Sequence, residues 1–441
     1  MKRSIEEIKT EILKLAEEFC ELKYKRNQFI PGKDIIPPSG KLIHKEEIQN
    51  IIESALDGWL TTGRFNSEFE NKLAQFVGVK YAITVNSGSS ANLIAFNTLT
   101  SPKLKSKAIN KGDEIISVAA GFPTTVNPIV QFGAIPVFVD IDKNTLNIDV
   151  KKVIDAITPK TKAIMLAHCL GNPFNLELIK SVCEQNNLWL IEDCCDALGS
   201  KYNGNNVGTF GDIATLSFYP AHHITMGEGG AVLTNNLKLK KIAESFRDWG
   251  RDCYCAPGED NTCNNRFCWT KEKLGGNLPD GYDHKYIYSH LGYNLKITDM
   301  QAACGLAQLE KVSKFIQRRK ENFSYLKNKL LPLSDYIEVA HSTPNSEPSW
   351  FGLPIILKKS SNNQNRKNLV NYLDKKGIGT RLVFAGNITK QPYFEEQNYR
   401  IVGDLINTNL IMEQAFWVGI HPAVDFEQLD YTANSIIDFF K

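Results

Sequence analysis

From residue 45 onward, short apolar runs alternate with longer amphipathic stretches, and this alternation restricts the chain to few folds. Segments 81–85, 114–118, 135–139, 163–166 and 188–191 read as strands. Stretches 44–60, 67–76, 89–98, 124–132, 150–156 and 176–186 read as helices. Strand, helix, strand at these spacings predicts an α/β fold with a mainly parallel sheet covered on both faces. Ligands in such sheets sit beyond the carboxyl ends of the strands.

The rhythm breaks at 251–288, a stretch rich in Cys, Asn, Asp and Gly with little apolar periodicity. It reads as an insertion organised by something other than a hydrophobic core. A long helix then starts at Thr298, a good N-cap residue, and runs toward Arg319. Strands near 350–357 and 380–384 and helices near 366–375 and 428–440 follow. With 441 residues and 42% apolar composition, the chain can build one large and one smaller core. The expected division is a helical arm at 1–40, a large domain at 41–318 holding the insertion, and a small α/β domain at 319–441.

The arm places Ile5, Ile8, Ile12, Leu15 and Phe19 on one face, which suits packing on the body or on a partner subunit. Its mixed charge does not suit a signal peptide. A net charge of +2 with no basic block argues against nucleic acid as a partner. No run of about 18 apolar residues exists to span a membrane. The expectation is a cytoplasmic protein. Ten cysteines without a secretion signal speak against a disulfide framework. Cys20, Cys183 and Cys304 fall in helical patterns as small core residues. Cys253, Cys255 and Cys263 stand in the polar insertion, where packing does not explain them. Thiolates there suit an iron–sulfur cluster or zinc.

Several segments carry candidate chemistry. Asn86-Ser87-Gly88-Ser89-Ser90-Ala91 follows a strand and opens a helix. Its backbone N–H groups and hydroxyls can hold a phosphate dianion, or the segment is a plain turn. Phe122 lies in Ala119-Ala120-Gly121-Phe122-Pro123, and Asp193 ends the strand Trp189-Leu190-Ile191-Glu192-Asp193. Taken alone, the first is a core aromatic and the second a turn residue. Ser217 opens Ser217-Phe218-Tyr219-Pro220-Ala221-His222-His223-Ile224-Thr225-Met226-Gly227-Glu228-Gly229-Gly230. Gly292-Tyr293-Asn294 and Gly379-Thr380-Arg381 lie further on.

In this order the segments resemble the sugar-nucleotide aminotransferase-like (DegT/DnrJ/EryC/StrS) family, over roughly residues 35 to 435. The resemblance implies an aspartate-aminotransferase-type (fold type I) pyridoxal-phosphate enzyme. It makes Gly88, Ser89, Ser90 and Ser217 phosphate ligands, Phe122 the ring-stacking aromatic and Asp193 the partner of the pyridine nitrogen. Asn294 would reach the site of the other subunit in a homodimer. His168 either lines the pocket or is a structural loop histidine. Arg381 either meets a substrate diphosphate or joins a surface ion pair.

His222 stands where the family carries its Schiff-base lysine. Imidazole has no primary amine, but it moves protons near neutral pH. That substitution points from transamination to proton abstraction beside a noncovalent cofactor. Cys195, Cys253, Cys255 and Cys263 follow the spacing C-x57-C-x-C-x7-C. The spacing resembles the 2Fe-2S ligand set of the CDP-4-keto-6-deoxy-D-glucose 3-dehydrases, a subfamily that also carries the histidine. Cys194 is the fallback for Cys195, because adjacent residues of an extended segment point opposite ways.

The resemblance therefore implies a nucleotide-sugar 3-dehydrase using pyridoxamine 5'-phosphate (or pyridoxal 5'-phosphate), serving 3,6-dideoxyhexose synthesis for lipopolysaccharide O-antigen. Electrons would come singly through the cluster from an NADH-dependent flavin/iron–sulfur reductase. A cluster-free dehydratase and a dTDP-sugar substrate are the alternatives.

Overall fold

The computed structural model describes residues 3–25, 28–253, 255, 258–262, 264, 266–270, 272, 276–358 and 364–441. Its centre is an eight-stranded sheet. In spatial order the strands are Tyr81–Val85, Gly230–Thr234, Ile213–Ser217, Trp189–Asp193, Thr161–Ala167, Glu114–Val118, Ile135–Val139 and Arg400–Ile401. Neighbours from Ile213–Ser217 to the Arg400 edge run parallel. Gly230–Thr234 runs antiparallel to both of its neighbours. The sheet is thus mainly parallel, and the exception is a hairpin whose connection carries His222.

Three expected strands, 81–85, 114–118 and 135–139, have the observed bounds, as do the helices Val150–Ala156 and Leu176–Asn186. These strands are buried on both faces, so they read as continuous apolar runs. Helix Gly88–Leu99 is nearly all buried, lying between the sheet and other helices. The helix begun by Thr298 runs Asp299–Lys329, ten residues past the expected end at Arg319. Arg319 lies fully buried with Nη1 donating to Phe351 O at 2.9 Å, so a charged residue there is core and not a terminus. Asp299 accepts from the backbone N–H groups of Gly63 (2.8 Å) and Asn66 (2.8 Å). It caps the helix Arg64–Val77, whose own N-cap glycine has no side chain to do so.

A second sheet, Ile337–Val339, Gly352–Leu357, Ala415–Gly419 and Thr380–Arg381, is wholly antiparallel. The long helix crosses from the large region into this one, and Arg400–Ile401 returns to the large sheet. One hydrophobic core runs through both regions. In 251–288 the described residues are tied by polar contacts. Arg266 donates to Asp283 at 2.7 Å, and Trp269 stacks on His284 at 4.6 Å. No described helix is long and apolar enough to cross a membrane.

His421 closes the join between the N-terminal segment and the small sheet, its Nε2–H donating to Pro37 O at 3.1 Å. Burial pushes its pKa down to about 4. The unfolded histidine titrates near 6.5, so between these values the unfolded chain alone takes up a proton. Stability from this group is full above pH 6.5 and falls as pH drops toward 4. Urea unfolding at pH 7 and pH 5 should show a loss of about 2 kcal/mol attributable to His421. The drop should be smaller by that amount in His421→Asn; an unchanged pH dependence would refute the assignment.

Candidate active site

A cavity of about 750 Å³ opens at the carboxyl ends of the central strands. Gly88, Ser89, Phe122, His168, Asp193, Cys195, Ser217, His222 and Arg381 all line it. Ser90 and Asn294 do not. Ser90 braces the turn, with its N–H on Ser87 Oγ (3.0 Å) and its hydroxyl on Asn86 Oδ1 (2.6 Å). Asn294 is exposed on a stretch bridged to Asp248.

Asp193 ends its strand buried, at 4% exposure. Oδ2 accepts from Asn92 Nδ2 (2.8 Å) and Thr125 Oγ1 (2.7 Å), and Oδ1 from the backbone N–H of Cys195 (3.1 Å). A carboxylate held this way is a fixed acceptor aimed from the cavity floor, and not the turn residue that isolated reading allows. Asn92 and Thr125 had no signal in the sequence, because a polar residue inside a helix is unremarkable until its partner is known.

Phe122 is 47% exposed at the cavity, edge-on to Phe384 at 6.2 Å. That excludes the core-aromatic alternative. Leu170 (φ 49°) and Phe384 (φ 47°), two of the non-glycine residues with left-handed backbone, both line this cavity. Such strain persists only where the surroundings impose it. Gly88 is needed for close approach. A Cβ there would sit 2.4 Å from Ser217 Cβ and 3.1 Å from Cys195 Sγ. The close packing at Gly88 brings the serine hydroxyls and the first N–H groups of helix Gly88–Leu99 together, an arrangement able to cradle an anion.

His222 lies in the hairpin connection, its ring tilted against Phe351 at 5.3 Å. Nδ1 is 3.3 Å from Asp196 Oδ1. The nitrogen is buried and has no hydrogen-bond partner, so this is a close contact that lacks hydrogen-bond alignment. His223 points the other way. Its Nε2–H donates to Ser349 O at 2.8 Å, and burial followed by the nearby Arg319 holds its pKa well below the usual range. It is a neutral structural residue. His168 is fully buried beneath the cavity wall. Nδ1 accepts from Phe174 N–H (3.3 Å), which leaves Nε2–H to face Glu192 Oε2 (3.2 Å). With both nitrogens engaged, it has none to offer a ligand. Arg381 forms no ion pair with a described carboxylate and donates to Thr380 O.

The cysteines separate. Cys194 is buried with Sγ toward Glu192 O, while Cys195 faces the cavity. Cys253 and Cys255 line a different cavity of about 620 Å³, with Trp59, Arg247 and Trp269. Cys263 lies outside the described residues. The described cysteines Cys195, Cys253 and Cys255 do not come within 4.8 Å of one another as a set. They do not by themselves form a cluster site.

Residues 41–437 match the model of the DegT/DnrJ/EryC1/StrS aminotransferase family. The chain belongs to that family. It is 58% identical over 433 residues to the lipopolysaccharide biosynthesis protein RfbH of Salmonella typhimurium, covering 98% of each chain. It is 48% identical to the dTDP-4-dehydro-2,6-dideoxy-D-glucose 3-dehydratase of Saccharopolyspora spinosa, over 93% of this chain and 88% of that one. The E. coli GDP-4-keto-6-deoxy-D-mannose-3-dehydratase, solved with hydrated pyridoxal phosphate bound, superposes with a TM-score of 0.81 at 32% identity, over 91% of this chain and 100% of that one. The fold of this family is the type I pyridoxal-phosphate fold, as the sequence led us to expect.

The Gly88 cradle provides a direct test. Gly88→Ala should displace Ser217 or Cys195 and weaken pyridoxamine phosphate binding by about tenfold or more, a cost of about 1.4 kcal/mol. Absorbance titration against the parent reads this; equal affinity would show that the cradle is not the phosphate site.

Proposed function

We propose that this chain removes the 3-hydroxyl from a nucleotide-linked 4-keto-6-deoxyhexose, with pyridoxamine phosphate bound noncovalently. The observation that carries this reading is an imidazole, His222, in the cavity that also holds the Asp193 carboxylate. The relatives named for 3-dehydratase activity support it.

The chain's residues divide the work. Backbone N–H groups at Gly88 and Ser89, with the Ser217 hydroxyl, would bind the phosphate, on a turn that Ser90 braces. Phe122 would cover the ring face, and Asp193 would keep the pyridine nitrogen protonated. When bound, the cofactor supplies an amine and an electron sink. His222 would serve as the proton carrier of the site, taking up a proton at Nε2 and giving one to the departing 3-hydroxyl oxygen of the substrate. Its Nδ1 edge faces Asp196 at 3.3 Å, which would orient the ring and leave Nε2 to exchange the proton. Phe351 and Trp417 help wall the cavity. Arg381, with no carboxylate partner among the described residues, is our candidate for the substrate diphosphate.

We favour a CDP-sugar substrate from the overall resemblance to the 3-dehydrases, with dTDP as the alternative, and a role in lipopolysaccharide O-antigen synthesis. Asn294 is assigned to the second site of a homodimer. The spacing of Cys195, Cys253, Cys255 and Cys263 supports a 2Fe-2S cluster fed by an NADH-dependent reductase. The placement of the described cysteines in two cavities is the observation behind a second reading, a cluster-free dehydratase.

His222→Asn should lower 3-hydroxyl loss by about 100- to 10,000-fold while pyridoxamine phosphate still binds. Retained turnover would sink the base assignment. Asp196→Asn should cost about 100-fold in kcat with little change in KM, since it misplaces the base and not the substrate. Protein purified without air should carry about two irons and two sulfides per chain, lost in Cys253→Ser. Iron-free active parent protein would leave the cluster-free reading.

A further inference from the structure

The helical arm, Ile5–Lys23, buries one face and leaves a more apolar one open. Toward the body, Cys20 is buried, Leu13 and Ala16 are half-buried, and Gln49 Nε2 donates to Leu13 O at 3.1 Å. Lys9 pairs with Glu53, and Glu17 with Lys45. The apolar stripe read from the sequence is elsewhere. Ile5, Ile8, Leu15, Phe19 and Leu22 are 86, 42, 59, 57 and 82% exposed, and Ile12 is half-buried. By the helical period, this stripe lies roughly 110° round the helix from the body-facing side.

Ile5, Ile8, Ile12, Leu15, Phe19 and Leu22 are separated by three and four residues in strict alternation. That is the seam of a coiled coil, which needs a partner helix of the same period. Nothing on the described body covers it. The flanking charges identify the partner. With Ile5, Ile12 and Phe19 at a positions, Glu11 and Glu18 occupy g, and Lys9, Ala16 and Lys23 occupy e. In a parallel pair of identical arms, each g residue faces the e residue five positions on. Glu18 then meets Lys23 of the other copy, and the pair occurs twice. An antiparallel pair would set Glu11 against Glu18 of the other copy, a like-charge contact. Lys23 Nζ rests 5.4 Å over the Phe19 ring, at the edge of the seam.

We propose that this seam docks, in parallel, on the same seam of a second copy of the chain. The body already holds each arm helical, so pairing does not also have to form the helix. The apolar stripe supplies affinity, and the Glu18 and Lys23 contacts set direction. A parallel pair places a two-fold axis along the arms, and it puts each seam residue opposite its own counterpart.

That last property gives the experiment. Full-length Leu15→Cys, oxidised mildly with copper phenanthroline, should form a disulfide-linked dimer on a non-reducing gel. Glu21→Cys, off the seam on the same arm, should not. Adding Phe19→Glu to Leu15→Cys should cut the linked fraction by about tenfold. Adding Glu18→Lys should also reduce it, and adding Lys23→Glu as well should restore it, because the pair is then reversed and not lost. These residues are exposed, so the fold of the body is not at stake. The proposal is overturned if Leu15→Cys stays unlinked or if Glu21→Cys links equally well. It is also overturned if linking appears only in a mixture of Ile5→Cys with Leu22→Cys, which would mean antiparallel arms, or if the charge reversal fails to restore it.

Discussion

Two consecutive buried carboxylates at the end of one strand organise the active region. Strand geometry sends Glu192 and Asp193 to opposite faces of the sheet. Glu192 accepts from the backbone N–H groups of Gly208 (2.9 Å), Phe210 (2.9 Å) and Gly211 (2.6 Å), and faces His168. Asp193 takes the helix side chains of Asn92 and Thr125. One strand end thereby fixes a loop on one face and two helices on the other. A buried carboxylate without such donors would cost several kcal/mol. The donors are therefore part of the fold as much as of the site, and Thr215 Oγ1 extends the network by donating to Asn92 Oδ1 at 2.7 Å.

The antiparallel hairpin is the second organising feature. Ser217 ends one strand and Gly230 starts the next, and they pair across the sheet. The segment between them has to leave the sheet and return within twelve residues. It carries His222 into the cavity and sends His223 to the core, where burial, then the nearby Arg319, holds it neutral. Adjacent histidines thus take opposite roles because the backbone turns them to different media. Gly230 permits this closure, since a Cβ there would meet Ser87 O at 2.4 Å. The phosphate turn and the base are therefore tied to one another through the sheet.

The insertion shows a different physics. Its described contacts are ion pairs and ring stacking, such as Arg266 with Asp283 and Trp269 with His284. The thiol of Cys255 is held below its ordinary pKa, first by its contact with Thr262 at 3.1 Å. Burial, then the Asp193 charge, pushes Cys195 upward. The two thiol environments are unlike, which matches their placement in two cavities.

The sequence by itself determined the order and kind of the main elements, because burial on both faces leaves a continuous apolar run and helices keep their period whatever they pack on. The family resemblance, not local pattern, marked Gly88, Asp193, Ser217 and His222, and they share one cavity because each lies at or just past a strand end. Tertiary structure alone decided the rest. Asn92, Thr125 and Asp196 matter only through partners distant in sequence or around a turn, and no local pattern marks them. His168 and His222 look equally reactive in sequence, yet one has both nitrogens engaged and the other has a buried nitrogen beside a carboxylate. The arm's apolar stripe was legible as a period, but its exposure was not. Periodicity says that a face must be covered; only packing in three dimensions says whether this chain covers it.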